Sequence, residues 1–264
     1  MICFTSFSAD ADTLWGGERT LITIEGYTGF VIRPPAPRAD NSRPWVWYAP
    51  AFINSYPNSS NGWYLSRLIS SGFWIVGMDV GESYGSPAGR VLFSHFYDTL
   101  MARYHLDPRG CLHPQSRGGL MLYNWATEPG NAGKVDRIAG IYPVGDLRSY
   151  PGLSAGLAAA YGMTLDSLTA RLAENNPIDR LRPLHDAGVR ILHIHGDNDA
   201  VVPLSANSQV IHDRYTAMGG DMTLIVVPGK GHAEIPEFFQ SRAVLDFMLQ
   251  APAAPGRPAP EKRR

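Results

Sequence analysis

His113-Pro114-Gln115-Ser116-Arg117-Gly118-Gly119 is the stretch on which the reading of this chain turns. The short apolar run at residues 110–112 leads into it with β character, and Leu120, Met121, Tyr123, Asn124 and Trp125 follow with a helical pattern. A serine among small residues, between a strand and a helix, is the signature of a nucleophile elbow. That turn is so tight that only small neighbours avoid a clash, and it lifts the hydroxyl clear of the sheet. The start of the following helix offers amides and the positive end of a dipole to an anion nearby. Gly118, two residues after the serine, fits the G-x-S-x-G pattern, whereas Pro114 stands two before it, where glycine is usual. Proline has no amide hydrogen and a fixed φ, so the strand must reach the turn without that donor. Alone, such a turn is weak evidence, because a motif is a hypothesis until its context agrees.

The context is an alternation of strands and helices. Residues 20–24 and 27–32 read as a hairpin turning at Glu25-Gly26. Residues 45–49 form an aromatic run without polar alternation, as expected of a central parallel strand buried on both faces. The loop 50–61 is rich in Pro, Asn and Ser, and Ser60 or Asn61 is placed to cap a helix reaching about residue 71. Further strands are predicted at 73–78, 138–144, 190–195 and 222–227, and helices at 91–104, 204–218 and 233–249. Residues 145–188 are too long for a plain crossover and read as a crossover helix plus a small helical cap. Residues 250–264, rich in Pro and Ala with a basic end, read as a disordered tail after one domain over 1–249. The pattern predicts a mostly parallel sheet with helices on both faces. Ligands of such sheets sit beyond the carboxyl ends of the strands.

A serine hydroxyl is a poor nucleophile until a base takes its proton. Two later strand ends carry candidates, His195-Gly196-Asp197-Asn198-Asp199-Ala200-Val201-Val202-Pro203 and Pro228-Gly229-Lys230-Gly231-His232. The resulting order is Ser116, Asp199, His232. Asp197 and Asp146, each just past a strand, stand as alternative acids, since a triad is defined by geometry.

With these stretches the chain resembles the α/β-hydrolase superfamily over residues 20–249, whose Ser…Asp…His order it shares. Ser116 to Leu120, Tyr123-Asn124-Trp125-Ala126, Asp146-Leu147-Arg148-Ser149-Tyr150-Pro151 and Asn176-Pro177-Ile178-Asp179 look like bacterial hydrolases often labelled esterase or prolyl-oligopeptidase-like. The resemblance implies the α/β-hydrolase fold, Ser116 as nucleophile, Asp199 as acid, His232 as base and no cofactor.

In that chemistry His232 accepts the Ser116 proton and returns it to the leaving group, while Asp199 holds the imidazole tautomer. The oxyanion needs two amides. One belongs to Arg117, directly after the nucleophile. The other must come from the loop after residues 45–49, where Pro50 has none, which leaves Ala51, the favoured choice, or Phe52. Phe52, Trp63 and Tyr64 are candidates for the substrate wall. His193, His195 and Asp197 alternate along a strand with spacing that suits a metal, but no further Cys/His cluster joins them. They read as hydrogen-bonded core groups, with no metal expected.

Composition narrows the partners. The 264 residues carry 23 Lys plus Arg against 24 Asp plus Glu, a formal charge of −1. Nucleic-acid or membrane-surface binding would want a basic face, so neither partner is expected. The two cysteines, Cys3 and Cys111, suggest no disulfide framework. Residues 1–12 lack the features of a secretory signal, so the cytoplasm is the expected compartment. The residues do not fix an oligomeric state. The expected function is a serine hydrolase of carboxylic esters, small-molecule or carbohydrate esters included, working through an acyl-enzyme. A prolyl-oligopeptidase-type peptidase and a non-catalytic binding protein on the same fold are the alternatives.

Overall fold

The structure, a computed structural model, describes residues 12–250. Cys3, the leader reading and almost all of the expected tail lie outside the described residues.

Among the described residues, nine strands form one sheet: β1 (Asp12–Leu14), β2 (Gly17–Ile24), β3 (Tyr27–Arg33), β4 (Trp45–Ala49), β5 (Trp74–Met78), β6 (Gly110–Pro114), β7 (Val135–Ile141), β8 (Arg190–Gly196) and β9 (Met222–Val227). Their spatial order is β1-β2-β3-β5-β4-β6-β7-β8-β9. β1, β2, β3 and β5 pair antiparallel, and every pairing from β5 through β9 is parallel. Ten α-helices among the described residues connect or flank the strands: α1 (Gly62–Ser70), α2 (Pro87–Tyr104), α3 (Gly118–Ala126), α4 (Ala155–Ala160), α5 (Leu165–Ala170), α6 (Leu172–Asn175), α7 (Arg182–Asp186), α8 (Ser208–Ala217), α9 (Pro236–Phe239) and α10 (Arg242–Leu249).

Side chains alternate across a strand, so the uniformly apolar β4 serves two cores. Trp45, Trp47 and Ala49 face α2, α3, α7 and α8, together with Phe93, Phe96, Trp125 and Ile211. Val46 faces α1, α9 and α10, together with Leu65, Phe238 and Leu245. The Trp47 ring lies 5.0 Å from Phe93, 5.1 Å from Phe96 and 4.8 Å from Trp125, centroid to centroid.

The structure revises several boundaries. β7 starts at Val135 and ends at Ile141, so the expected strand 138–144 is displaced toward the N-terminus. Buried Asp136 and Arg137 form an ion pair that lets polar residues sit in the strand. Beyond Ile141 the chain turns away at Tyr142, whose φ is 34°. The expected helix 204–218 is broken at Asn207, where the side-chain oxygen accepts from the amides of Gly145 and Asp146 (2.8 and 3.1 Å). The expected helix 233–249 divides into α9 and α10. Pro236 opens α9, and Ser241 caps α10 by accepting from Val244 N.

Residues 145–188 carry α4 to α7. Leu157, Ala158, Tyr161 and Leu168 pack with Leu120 and Val144, beside the start of α3.

Candidate active site

β6 runs into Gln115, and Ser116 follows with φ 50°, in the left-handed region that a non-glycine residue rarely adopts. Its neighbours hold it there. Ser116 N donates to Ile141 O (3.0 Å) and Ser116 O accepts from Val144 N (2.8 Å), tying the turn to the end of β7. A Cβ at Gly118 would run into the carbonyl of Ala49, and one at Gly119 into that of Val144. The small residues after the serine are therefore forced by the close approach of two other strand ends. The missing donor of Pro114 costs little, because Gln115 N takes up the β4 ladder by donating to Ala49 O (2.8 Å).

Ser116 Oγ lies 3.0 Å from His232 Nε2, and His232 Nδ1 lies 2.8 Å from Asp199 Oδ2. The carboxylate accepts only, so Nδ1 carries the proton and Nε2 turns a lone pair to the serine. The other oxygen, Asp199 Oδ1, accepts from the amides of Val201 and Val202 (2.9 and 2.8 Å). Burial works to raise the Asp199 pKa. Hydrogen bonds from His195, His232 and the Val202 amide outweigh it and hold the carboxyl well below its usual range. The alternative acids point elsewhere. Asp146 pairs with Arg148 at 2.8 Å and accepts from Asn176 Nδ2, whereas Asp197 accepts from Gly229 N at 2.6 Å.

The serine opens into a cleft of about 590 Å³ lined by Pro50, Phe52, Tyr56, Gln115, Tyr142 and Glu234, among others. After β4, Pro50 has no amide and the Phe52 amide donates to Tyr56 O at 3.0 Å. The amides of Ala51 and Arg117 donate to no group among the described residues, which leaves both for an anion beside Ser116. Phe52 lines the cleft, but Trp63 and Tyr64 do not. Tyr64 is fully buried, donating its hydroxyl to Phe238 O (2.6 Å) and accepting from Ser241 N (2.9 Å). Trp63 packs edge-on against it, under the guanidinium of Arg67 at 4.1 Å. These two face the α1–α10 core because α1 turns its apolar side there. Nor does any residue of 145–188 line the cleft, since the apolar side chains of that segment cover α3.

Three contributors escaped the sequence reading. The Tyr142 ring packs against His232, tilted, with centroids 4.2 Å apart. Gln115 Oε1 accepts from Tyr48 Oη (2.7 Å) and Asn61 Nδ2 (3.0 Å). Glu234 accepts from Tyr56 Oη (2.8 Å), Asn58 Nδ2 (2.9 Å), Ser60 Oγ (2.7 Å) and Gln115 Nε2 (3.3 Å). Partial burial works against its ionisation, but these donors hold the Glu234 carboxyl below its usual range. Chain adjacency was the available signal: Gln115 precedes Ser116 and Glu234 follows His232 by two. Arg117, by contrast, pairs with Glu82, so its charge is balanced.

Comparison with solved structures agrees with this architecture. S-formylglutathione hydrolase from Agrobacterium tumefaciens superposes with a TM-score of 0.65 at 14% identity, over 92% of this chain and 96% of that one. A cold-adapted esterase from an Arctic intertidal metagenomic library gives 0.62 at 12% identity, over 94% of this chain and all of that one. A puromycin-hydrolyzing peptidase of Mycobacterium tuberculosis gives 0.63 at 16% identity over 91% of this chain, which spans 38% of the peptidase. No protein-family model and no curated protein sequence matches. The chain has the α/β-hydrolase fold.

Proposed function

We propose that this protein is a serine hydrolase that cleaves carboxylic esters through an acyl-enzyme. The observation that carries the reading is the continuous line from Asp199 through His232 to Ser116, which opens into a cleft. Ser116 Oγ attacks the ester carbonyl as His232 Nε2 takes its proton. The oxyanion receives hydrogen bonds from Arg117 N and Ala51 N, and each such donor lowers the barrier by roughly 3–4 kcal/mol. His232 then protonates the leaving alcohol, and water repeats the sequence on the acyl-enzyme. No step calls for a cofactor. Phe52, Tyr56 and Tyr142 give the cleft aromatic walls, which suit short acyl groups and the faces of sugar esters. The likeness to esterases on one side and to a peptidase on the other supports hydrolysis of acyl compounds generally.

The test is a panel of chromogenic esters varied in acyl length and in sugar or alkyl alcohol, run beside aminoacyl amides, with the wild type and Ser116→Ala. Ester turnover abolished in Ser116→Ala supports the reading. Amide turnover without ester turnover favours the peptidase alternative. Full activity in Ser116→Ala refutes the mechanism.

A further inference from the structure

Beneath Asp199 lies a line of buried polar groups that the triad alone does not explain. His193 and His195 lie on the same face of β8, as residues two apart on a strand must. Both turn Nδ1 toward one hydroxyl, Ser208 Oγ at the start of α8, at 2.9 and 2.8 Å. At one end, His193 Nε2 lies 2.7 Å from Tyr123 Oη on α3. At the other, His195 Nε2 lies 2.8 Å from Val202 O and 3.4 Å from Asp199 Oδ2. Tyr123, His193, His195 and Ser208 are fully buried.

The protons can be assigned by elimination. Val202 O only accepts, so His195 Nε2 carries hydrogen. With one proton on each imidazole, His195 Nδ1 then accepts the Ser208 hydroxyl proton. Ser208 Oγ has a single hydrogen, so it must accept from His193 Nδ1–H, and His193 Nε2 must accept from Tyr123 Oη–H. Every donor meets an acceptor, and all point the same way, toward Asp199. Burial, the largest influence on His193, drives its pKa down to about 3 and keeps it to one proton.

We propose that Tyr123, Ser208 and the two histidines are positioning residues that hold the His195 Nε2–H between Val202 O and Asp199 Oδ2 and so fix the carboxylate against His232. The inference rests on the triad reading above. It makes sense of the histidine pair that resembled a metal site in sequence: its Nδ1 atoms converge on a hydroxyl. It also adds a polar link between α3, the helix that follows the nucleophile, and the acid of the triad.

The test uses the full chain with Ser208→Ala, Ser208→Thr and Tyr123→Phe. Two readouts are taken: kcat and KM on the best ester, and the downfield proton resonance of His232 Nδ1–H in the substrate-free protein. Hydrogen-bond partners that orient metal-bound imidazoles contribute about ten- to a hundredfold, and an orienting network around a catalytic carboxylate is expected to act on a similar scale. Ser208→Ala should therefore lower kcat by about tenfold or more with KM unchanged and displace the resonance. Ser208→Thr, which keeps the hydroxyl, should restore both, and Tyr123→Phe should shift the resonance in the same direction by less. The resonance needs no turnover, so it tests the relay even if the ester assignment fails. Should Ser208→Ala not fold, Tyr123→Phe alone decides. A folded variant lacking either hydroxyl with wild-type kcat and an unmoved resonance overturns the proposal.

Discussion

The ring of Tyr142 lies against the imidazole of His232, centroids 4.2 Å apart and planes at 51°. The contact exists because the chain leaves β7 through a left-handed residue, which carries the ring across the cleft toward the loop after β9. In the proposed mechanism His232 becomes a cation when it takes the serine proton, beside the Tyr142 ring, and a cation this close to an aromatic ring gains about 0.5–2 kcal/mol. Tyr142→Ala should therefore lower kcat by roughly tenfold. Tyr142→Phe, which keeps the face, should stay within about threefold. Steady-state kinetics of the two variants checks this.

Glu234 places an ionised carboxylate in the cleft, held by neutral donors, while Arg117 across the cleft is already paired with Glu82. Its field should disfavour anionic substrates. At contact distance near a protein surface such repulsion amounts to about 1–4 kcal/mol. Glu234→Gln should raise the ratio of kcat/KM for an ester bearing a remote carboxylate to that for its neutral isostere, by roughly tenfold. The ratio cancels any general loss from a looser 56–60 loop. An unchanged ratio contradicts the assignment.

Two buried histidines make stability depend on pH. Burial drives the pKa of His113 down from 6.5 to about 4 and that of His193 to about 3. Between those values and the unfolded value of 6.5, the unfolded chain binds more protons than the folded one, so stability rises with pH and falls on acidification. A tenfold difference in proton affinity between the folded and unfolded chain corresponds to about 1.4 kcal/mol. The unfolding midpoint should drop steadily as the pH is lowered from about 6.5 toward 4. A calorimetric series finding a flat midpoint across that window refutes this.

Gly118 sits where a Cβ would meet the carbonyl of Ala49. Gly118→Ala must push β4 and α3 apart, and overpacking of this kind costs about 1–3 kcal/mol. The same shift displaces the Ala51 and Arg117 amides. Urea unfolding should show a lower midpoint, and turnover should fall more than tenfold, since one oxyanion donor is worth about 10²–10³ in kcat.

The strand-and-helix alternation and the order Ser116, Asp199, His232 were legible because they rest on local patterns: apolar runs ending in Gly-, Asp- and His-bearing loops. The missing amide of Pro50 narrowed the second oxyanion donor to Ala51 or Phe52, and only the fold shows the Phe52 amide engaged by Tyr56 O. Trp63 and Tyr64 were misplaced because helical spacing alone does not say which side of α1 meets the cleft and which meets α10. Tyr142 escaped because the apolar pattern of the strand runs on through it, and only a backbone reversal after Ile141 turns its ring toward His232. The break at Asn207 and the Ser208 contacts depend on pairings across the fold, which no local pattern encodes.

The most direct measurement treats the intact protein with a fluorophosphonate and locates the adduct by peptide mass spectrometry. One adduct is expected, on Ser116, lost in His232→Ala and slowed in Asp199→Asn. An unlabelled wild type, or an adduct on another residue that persists in His232→Ala, would contradict it.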